Sequence, residues 1–193
     1  MTGPTPYPRV AGRSTLWWGA LWSMVVFANM LATIVFASMY LRQGAPRWPP
    51  EGIDLPDPGL ALALSAVAVV SIAPAGLAHR SVRTGSLARA QGAALVAAAT
   101  GVVVLVLAAY DLAAFGVAHD VHAFASVHWT AMVFHMAVTA AAVAGLVLVP
   151  LRARGADMAP RDQDSIVAAA MLWYYAAGAW PVVVLAVHVV PRM

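Results

Sequence analysis

The residues of this sequence whose types could do chemistry are a few ionisable side chains inside long apolar stretches. Asp111 and His128 each lie four residues inside the end of such a stretch, and His135 follows His128 by two helical turns on the same face. An unpaired ionisable group in a membrane interior costs on the order of several kcal/mol, so each is a candidate functional residue. Asp111 and His128 lie at similar depth, which favours their pairing, and we predict that the Asp111 carboxylate hydrogen-bonds to the imidazole of His128 or of His135. We therefore predict that these three side chains are interhelical polar contacts.

Two groups of histidines offer alternative chemistry. His119, Asp120, His122 and His128 lie close together in sequence, and imidazole with carboxylate suits copper or zinc. Their spacing is not that of a known metal motif, and a solvated loop explains it equally well. His128 and His188 lie at roughly matching depth in different stretches, as the axial ligands of a haem would.

Other kinds of active site have no counterpart in the sequence. There is no cysteine, no Ser–His–Asp arrangement, no glycine-rich phosphate loop and no chain of acids along any apolar stretch. We therefore predict no catalytic residues, and no metal or cofactor bound by this chain.

The composition is that of an integral membrane protein. Hydrophobic residues make up 62% of the chain and charged residues 10%, and the mean hydropathy is +0.80. All eleven cationic residues are arginines, the net charge is only +3, and no basic tract is present. This pattern argues against a nucleic-acid partner.

Five stretches are long enough to cross a bilayer, which needs about 20 apolar residues in a helix. Backbone groups find no hydrogen-bond partners in lipid, so these stretches must be α-helices. The sequence predicts an all-α fold, a single membrane domain over residues 1–193 with five transmembrane helices. The predicted spans are 17–41, 59–78, 90–115, 124–151 and 166–190. Spans three and four are rich in Ala and Gly, which predicts that they face the interior of the bundle.

The arginines predict the orientation of these spans. Eight fall on the N-terminal side of the membrane and three on the other side. The first group is Arg9, Arg13, Arg80, Arg83, Arg89, Arg152, Arg154 and Arg161, and the second is Arg42, Arg47 and Arg192. Positive residues are enriched in cytoplasmic loops, so the N-terminus is predicted to be cytoplasmic, with residues 42–58, residues 116–123 and the C-terminus outside.

Several short motifs, in order along the chain, resemble subunit III of the haem–copper respiratory oxidases. The segment Trp48-Pro49-Pro50-Glu51-Gly52-Ile53 is similar to the WPPxGI connector of that family, and Ala78-His79-Arg80-Ser81 to its AHxS motif. Further matches are Tyr40 at the end of a helix, Gly101 with Asp111 in the LG…QxxEY helix, His135 in the GxHGxH pattern, and Trp173 with Trp180 in the WHFVDxVW pattern. The resemblance runs from about residue 20 to the C-terminus.

The sequence also departs from that family at specific positions. Asn29 falls where the family has a buried carboxylate, and Met132 replaces the first histidine of GxHGxH. The chain resembles a divergent five-helix form that lacks the first two helices of the seven-helix version.

The resemblance implies a role in aerobic respiration and electron transport. It implies a non-catalytic structural subunit of cytochrome c oxidase, a proton-translocating complex, in the inner membrane of a bacterium. Such a subunit stabilises the catalytic subunit I and supports proton uptake, while haem and copper lie in that partner. Phospholipids and other oxidase subunits are the remaining expected partners. The residues expected to contact lipid or other subunits are Trp48, His79, Arg80, Trp173 and Trp180.

Two other classes of function are compatible with the sequence. The first is a small membrane cytochrome b or metal-binding electron carrier that uses His128 and His188. The second is a transporter or assembly factor, such as the accessory proteins of nitric oxide reductase that resemble subunit III.

Overall fold

The structure, a computed structural model, describes residues 15–152 and 160–192, and every regular element within those ranges is helical. The five α-helices are α1 (Thr15–Gly44), α2 (Pro58–Arg83), α3 (Leu87–Phe115), α4 (Ala123–Arg152) and α5 (Pro160–Val184). A π-helical turn, Leu185–Val189, and a 3₁₀ turn, Val190–Arg192, continue α5. Arg9, Arg13 and Arg154, which contribute to the predicted orientation, lie outside the described residues.

All five predicted spans are confirmed as helices long and apolar enough to cross a membrane. Most of the helices extend a few residues beyond the predicted ends, because capping residues rather than hydropathy set their limits. Asp57 caps α2, its carboxylate accepting a hydrogen bond of 2.8 Å from the backbone N–H of Gly59. Gly116 ends α3 in the left-handed conformation, with φ of 65°, where a residue without Cβ is favoured.

The last span differs most from its prediction. A single helix was predicted over 166–190, but α5 begins at Pro160 and its α-helical part ends at Val184. The remaining residues adopt the wider π-helical turn, which contains His188. Such turns often occur where a functional side chain is placed.

Helix α5 lies at the centre of the bundle and contacts all four other helices. In its most apolar window 44% of residues are buried, compared with 39% in α3 and in α4 and only 6% in α1. The prediction that spans three and four face the bundle interior is confirmed, since α3 buries a long row of alanines together with Gly101. Helix α1 is peripheral and packs mainly against α5.

Two clusters of buried side chains form the core. One surrounds Trp180, Leu64 and Met132, and the other surrounds Trp173 and the alanines of α2 and α3. The first cluster lies in the half of the bundle nearer the segment 45–57, which joins α1 to α2 and is called the connector below.

The connector, the loop 116–122 and the C-terminal turn meet at one end of the bundle, here called the connector end. Trp48 packs edge-on against Phe124 at the start of α4, with ring centroids 5.4 Å apart, and lies 6.1 Å from the ring of His122. The Arg192 guanidinium donates to the carbonyl oxygen of Pro56 at 2.5 Å. These contacts place both connecting segments and the C-terminal turn together, as the alternation of five spans predicts.

Candidate functional site

A cluster of buried polar side chains lies just inside the connector end. Asp111 from α3, His128 from α4 and His188 from the π-helical turn are exposed by only 3%, 0% and 3%. Within the cluster, the Asp111 Oδ2 atom lies 3.8 Å from the His188 Nε2 atom. The cluster therefore brings together a carboxylate and two imidazoles from three helical segments.

The predicted hydrogen bond from Asp111 to His128 or His135 is wrong. Neither ring nitrogen of His128 has a hydrogen-bond partner among the described residues, and Nε2 of His135 bonds elsewhere while its Nδ1 has no partner. The carboxylate faces His188 instead. Depth along a helix does not specify which neighbouring helix a side chain faces, and the π-helical turn brings His188 to the depth of Asp111.

His128 lies between aromatic and imidazole rings. Its ring stacks on Phe115 with centroids 4.3 Å apart and meets the ring of His188 edge-on at 6.3 Å. Phe115 has no side-chain atom that can form a conventional hydrogen bond. The ring nitrogens of His188 lie beyond hydrogen-bond reach of those of His128.

His135 lies deeper and links α4 to α5. Its Nε2–H donates to the carbonyl oxygen of Ala176 at 3.1 Å, and its ring packs 4.9 Å from that of Trp180. Trp180 in turn donates from its indole N–H to the Ser65 hydroxyl of α2 at 2.7 Å. A continuous chain of contacts thus joins α4, α5 and α2.

The Ser65 contact was not predicted from the sequence. A buried indole N–H normally finds an acceptor, and Ser65 and Ser71 are the polar side chains within the apolar run of α2. Because α2 offers so few polar side chains within its apolar run, these serines could have identified it as the helix that accepts the hydrogen bond from the Trp180 indole.

A cavity of about 210 Å³ connects the cluster to the protein surface. It is lined by Asp111, by Ala114 and Phe115 of α3, and by the connector and helix-capping residues Asp54, Leu55, Pro56 and Asp57. Asp54 and Asp57 are exposed, whereas Asp111 is buried. Among the three carboxyl groups that line the cavity, Asp111 is thus the inner one, and Asp54 and Asp57 are the outer ones.

The histidine-rich loop serves to begin α4. The Nδ1 atom of His122 accepts a hydrogen bond of 3.1 Å from the backbone N–H of Phe124, and the Ser126 hydroxyl donates to the carbonyl oxygen of His119 at 2.6 Å. Within residues 15–152 and 160–192, no three His, Asp or Glu side chains are arranged so that they could hold a metal ion.

The residues expected to contact lipid or other subunits differ in exposure. Trp173 and Trp180 are each only 1% exposed and belong to the two core clusters, which corrects their prediction as contact residues. For both tryptophans, burying the large aromatic ring inside the bundle is more favourable than placing it at the membrane interface. His79 is partly exposed and stacks on Tyr174 with centroids 6.4 Å apart, Arg80 is exposed, and Trp48 is partly exposed.

No protein-family model matches the sequence.

Proposed function

We propose that this protein is a non-catalytic subunit of a haem–copper terminal oxidase, the counterpart of subunit III. In this role it packs beside the catalytic subunit I in the inner membrane of a bacterium, stabilises that subunit and supports proton uptake during aerobic respiration. The haem and copper centres lie in the partner, and phospholipids fill the remaining contacts.

One observation carries the proposal: the residues that resemble the family motifs contact one another in pairs. Gly101 lies against the ring of Trp173, so closely that an added Cβ would be 2.8 Å from it. His135 packs on Trp180. The members of these pairs are up to about seventy residues apart in the sequence, and motifs that share contacts as well as order support a common packing framework.

The exposed side of α1 is the proposed contact surface for subunit I. Trp22, Phe36 and Tyr40 are 63%, 71% and 76% exposed, and Asn29 is also exposed, its amide donating to the carbonyl oxygen of Val25 in its own helix. Polar side chains within membrane spans normally face other helices rather than lipid. A partner helix against α1 would give Asn29 such a neighbour.

The proposed orientation places the N-terminus in the cytoplasm and the connector end in the periplasm. The arginine distribution supports it, with the cytoplasmic side carrying the larger number.

The proposal is tested by purifying the tagged full-length protein from its native membranes in a mild detergent. We expect a larger haem-bearing subunit to co-purify, seen in the reduced-minus-oxidised spectrum. Val26→Trp on the exposed side of α1 is expected to lower the yield of that partner several-fold. Val103→Trp, at a similarly exposed position on α3, is the matched control and should leave it unchanged. Recovery of the protein without any haem-bearing partner would contradict the proposal.

A small membrane cytochrome is the second candidate, because the rings of His128 and His188 lie only 6.3 Å apart. The surroundings do not fit a porphyrin between them: Phe115 stacks directly on His128, and Trp180 lies 6.5 Å from His188. If the protein were such a cytochrome, the isolated chain would show a Soret band that disappears in His128→Ala or His188→Ala.

A further inference from the structure

The Asp111–His188 pair is more open than a structural ion pair would be. At 3.8 Å, the distance between Oδ2 and Nε2 exceeds the reach of a hydrogen bond. The Asp111 Oδ2 atom and both ring nitrogens of His188 have no hydrogen-bond partner among the described residues. Both residues are nevertheless buried, with an exposure of only 3% each. If the pair served only to hold two helices together, its polar atoms would be hydrogen-bonded to each other.

The cavity at the connector end gives this pair a route to solvent. Asp111 lines its inner part, and the exposed Asp54 and Asp57 line its outer part. Its volume of about 210 Å³ is several times the ~30 Å³ that one water molecule occupies in the liquid. His188 does not line the cavity, so Asp111 lies between solvent and the imidazole.

The charged and titratable groups around the pair come from every segment packed there. Asp54 and Asp57 approach from the connector and the start of α2, and His128 from α4. Arg192 approaches from the C-terminal turn, but its guanidinium donates to the backbone carbonyls of His188 and Pro56. No cation among the described residues forms an ion pair with Asp111 other than His188.

We propose that Asp111 and His188 form a buried protonation site that exchanges its proton with solvent at the connector end through the cavity lined by Asp54 and Asp57. The pair holds one proton, either on the carboxyl group with a neutral imidazole or on the imidazole with a carboxylate. Both forms are neutral overall, which avoids an isolated buried charge. Exchange passes through a transient state without that proton: the Asp111 carboxyl group gives it to a water molecule in the cavity, which carries it to solvent as hydronium, and a hydronium ion arriving by the same route returns a proton to the carboxylate. Within the loaded pair the proton moves between the Asp111 carboxyl group and Nε2 of His188.

The Asp111–His188 site is expected whether or not the chain assembles with an oxidase. It depends only on the bundle and its connector end, so its failure and that of the oxidase assignment are separable.

Infrared titration of the full-length protein in lipid nanodiscs, with any partner that co-purifies, tests the site. Between about pH 5 and about pH 9, where imidazoles and buried carboxyl groups titrate, we expect a carboxylic C=O band that Asp111→Asn removes. His188→Gln should change the pH dependence of that band, and Asp120→Asn in the exposed loop should leave it unchanged. If neither a carboxylic C=O band disappears in Asp111→Asn nor an imidazolium band disappears in His188→Gln, the pair carries no exchangeable proton and the proposal fails.

Hydrogen–deuterium exchange of the same band tests the route. On transfer to D₂O, the band should shift much faster than the amides of the buried helices exchange. Ala114→Phe, which fills the cavity, is expected to slow that shift several-fold, while Ala113→Phe, one residue away and outside the cavity lining, should not. Both variants keep Asp111 and His188 intact and change exposed positions, so they test the site even if a substitution within the pair prevents folding. Equal exchange rates in the two variants would exclude the cavity as the route.

Discussion

At the scale of single residues, the packing of Gly101 against α4 and α5 makes the sharpest prediction. A Cβ at this position would lie 2.5 Å from Cγ2 of Val143 and 2.8 Å from the ring of Trp173. Gly101→Ala therefore forces one of these side chains to move and should lower the free energy of unfolding by about 1–3 kcal/mol. Reversible unfolding in mixed micelles measures the loss.

The matched control is Gly92→Ala in the same helix. No heavy atom lies within 4 Å of a Cβ built there, so the alanine adds helix propensity without a clash. We expect a small gain in stability, about 0.5–1 kcal/mol. Equal effects of the two substitutions would show that α3 does not pack against Trp173 in the way described.

The hydrogen bond between Trp180 and Ser65 is a second residue-scale test. Ser65→Ala leaves the indole N–H of a 1% exposed ring without its acceptor, so we expect a loss of about 0.6 to about 1.7 kcal/mol, from the average to the largest value found for hydrogen bonds between membrane helices. Trp180→Phe in a double-mutant cycle isolates the pairwise energy. Ser23→Ala on α1, whose hydroxyl donates to the carbonyl oxygen of Gly19 in its own helix, should be nearly neutral. A coupling energy of zero would contradict the contact.

At the scale of elements, Arg192 fastens the C-terminal turn to the connector. Its guanidinium donates to carbonyl oxygens of both segments, those of His188 and Pro56. Arg192→Ala should speed hydrogen exchange of the amides in residues 185–192 about tenfold, equivalent to ~1.4 kcal/mol and near the lower end for hydrogen bonds from a charged donor.

The control for this prediction is Arg47→Ala in the connector. Arg47 pairs with Glu51, but their side chains are 68% and 76% exposed, and exposed pairs contribute little. This substitution should leave exchange in the C-terminal turn unchanged. If both substitutions have the same effect, loss of positive charge rather than of the specific contacts is responsible.

At the scale of the whole molecule, the proposed orientation can be tested by labelling introduced cysteines. The sequence contains no cysteine, so each substitution gives a single reactive thiol. Asp120→Cys in the loop 116–122 should react with a membrane-impermeant maleimide in intact spheroplasts. Thr84→Cys, in the turn between α2 and α3 at the opposite end of the bundle, should react only after lysis. The reverse pattern would invert the proposed orientation.

Much of the architecture could be predicted from the sequence because it depends on additive local properties. The length and hydropathy of each apolar run determine whether it crosses the membrane, and five such runs were found at nearly the observed positions. The Ala- and Gly-rich character of α3 predicted its burial, because small side chains let helices approach closely. The helix ends were less predictable, since caps such as Asp57 and Gly116 lie outside the apolar runs.

The partners within the candidate site could not be predicted in the same way. One residue along a helix rotates a side chain by about 100°, so depth alone leaves several neighbours open. The sequence matched Asp111 with His128 or His135, whereas the packing of α3 beside the end of α5 directs it to His188. The central position of α5 also placed Trp173 and Trp180 in the core rather than at the surface.

The sequence by itself thus determined that residues 15–152 and 160–192 form five helices long and apolar enough to cross a membrane, with few ionisable side chains between them. The length, hydropathy and charge of the apolar runs are sufficient for this conclusion, because in lipid the backbone groups of such a run must be hydrogen-bonded within it, as they are in a helix. Only the tertiary structure decided which polar groups meet and which of them reaches solvent. Those outcomes depend on how each helix is rotated about its axis, and on the π-helical turn that carries His188 to Asp111.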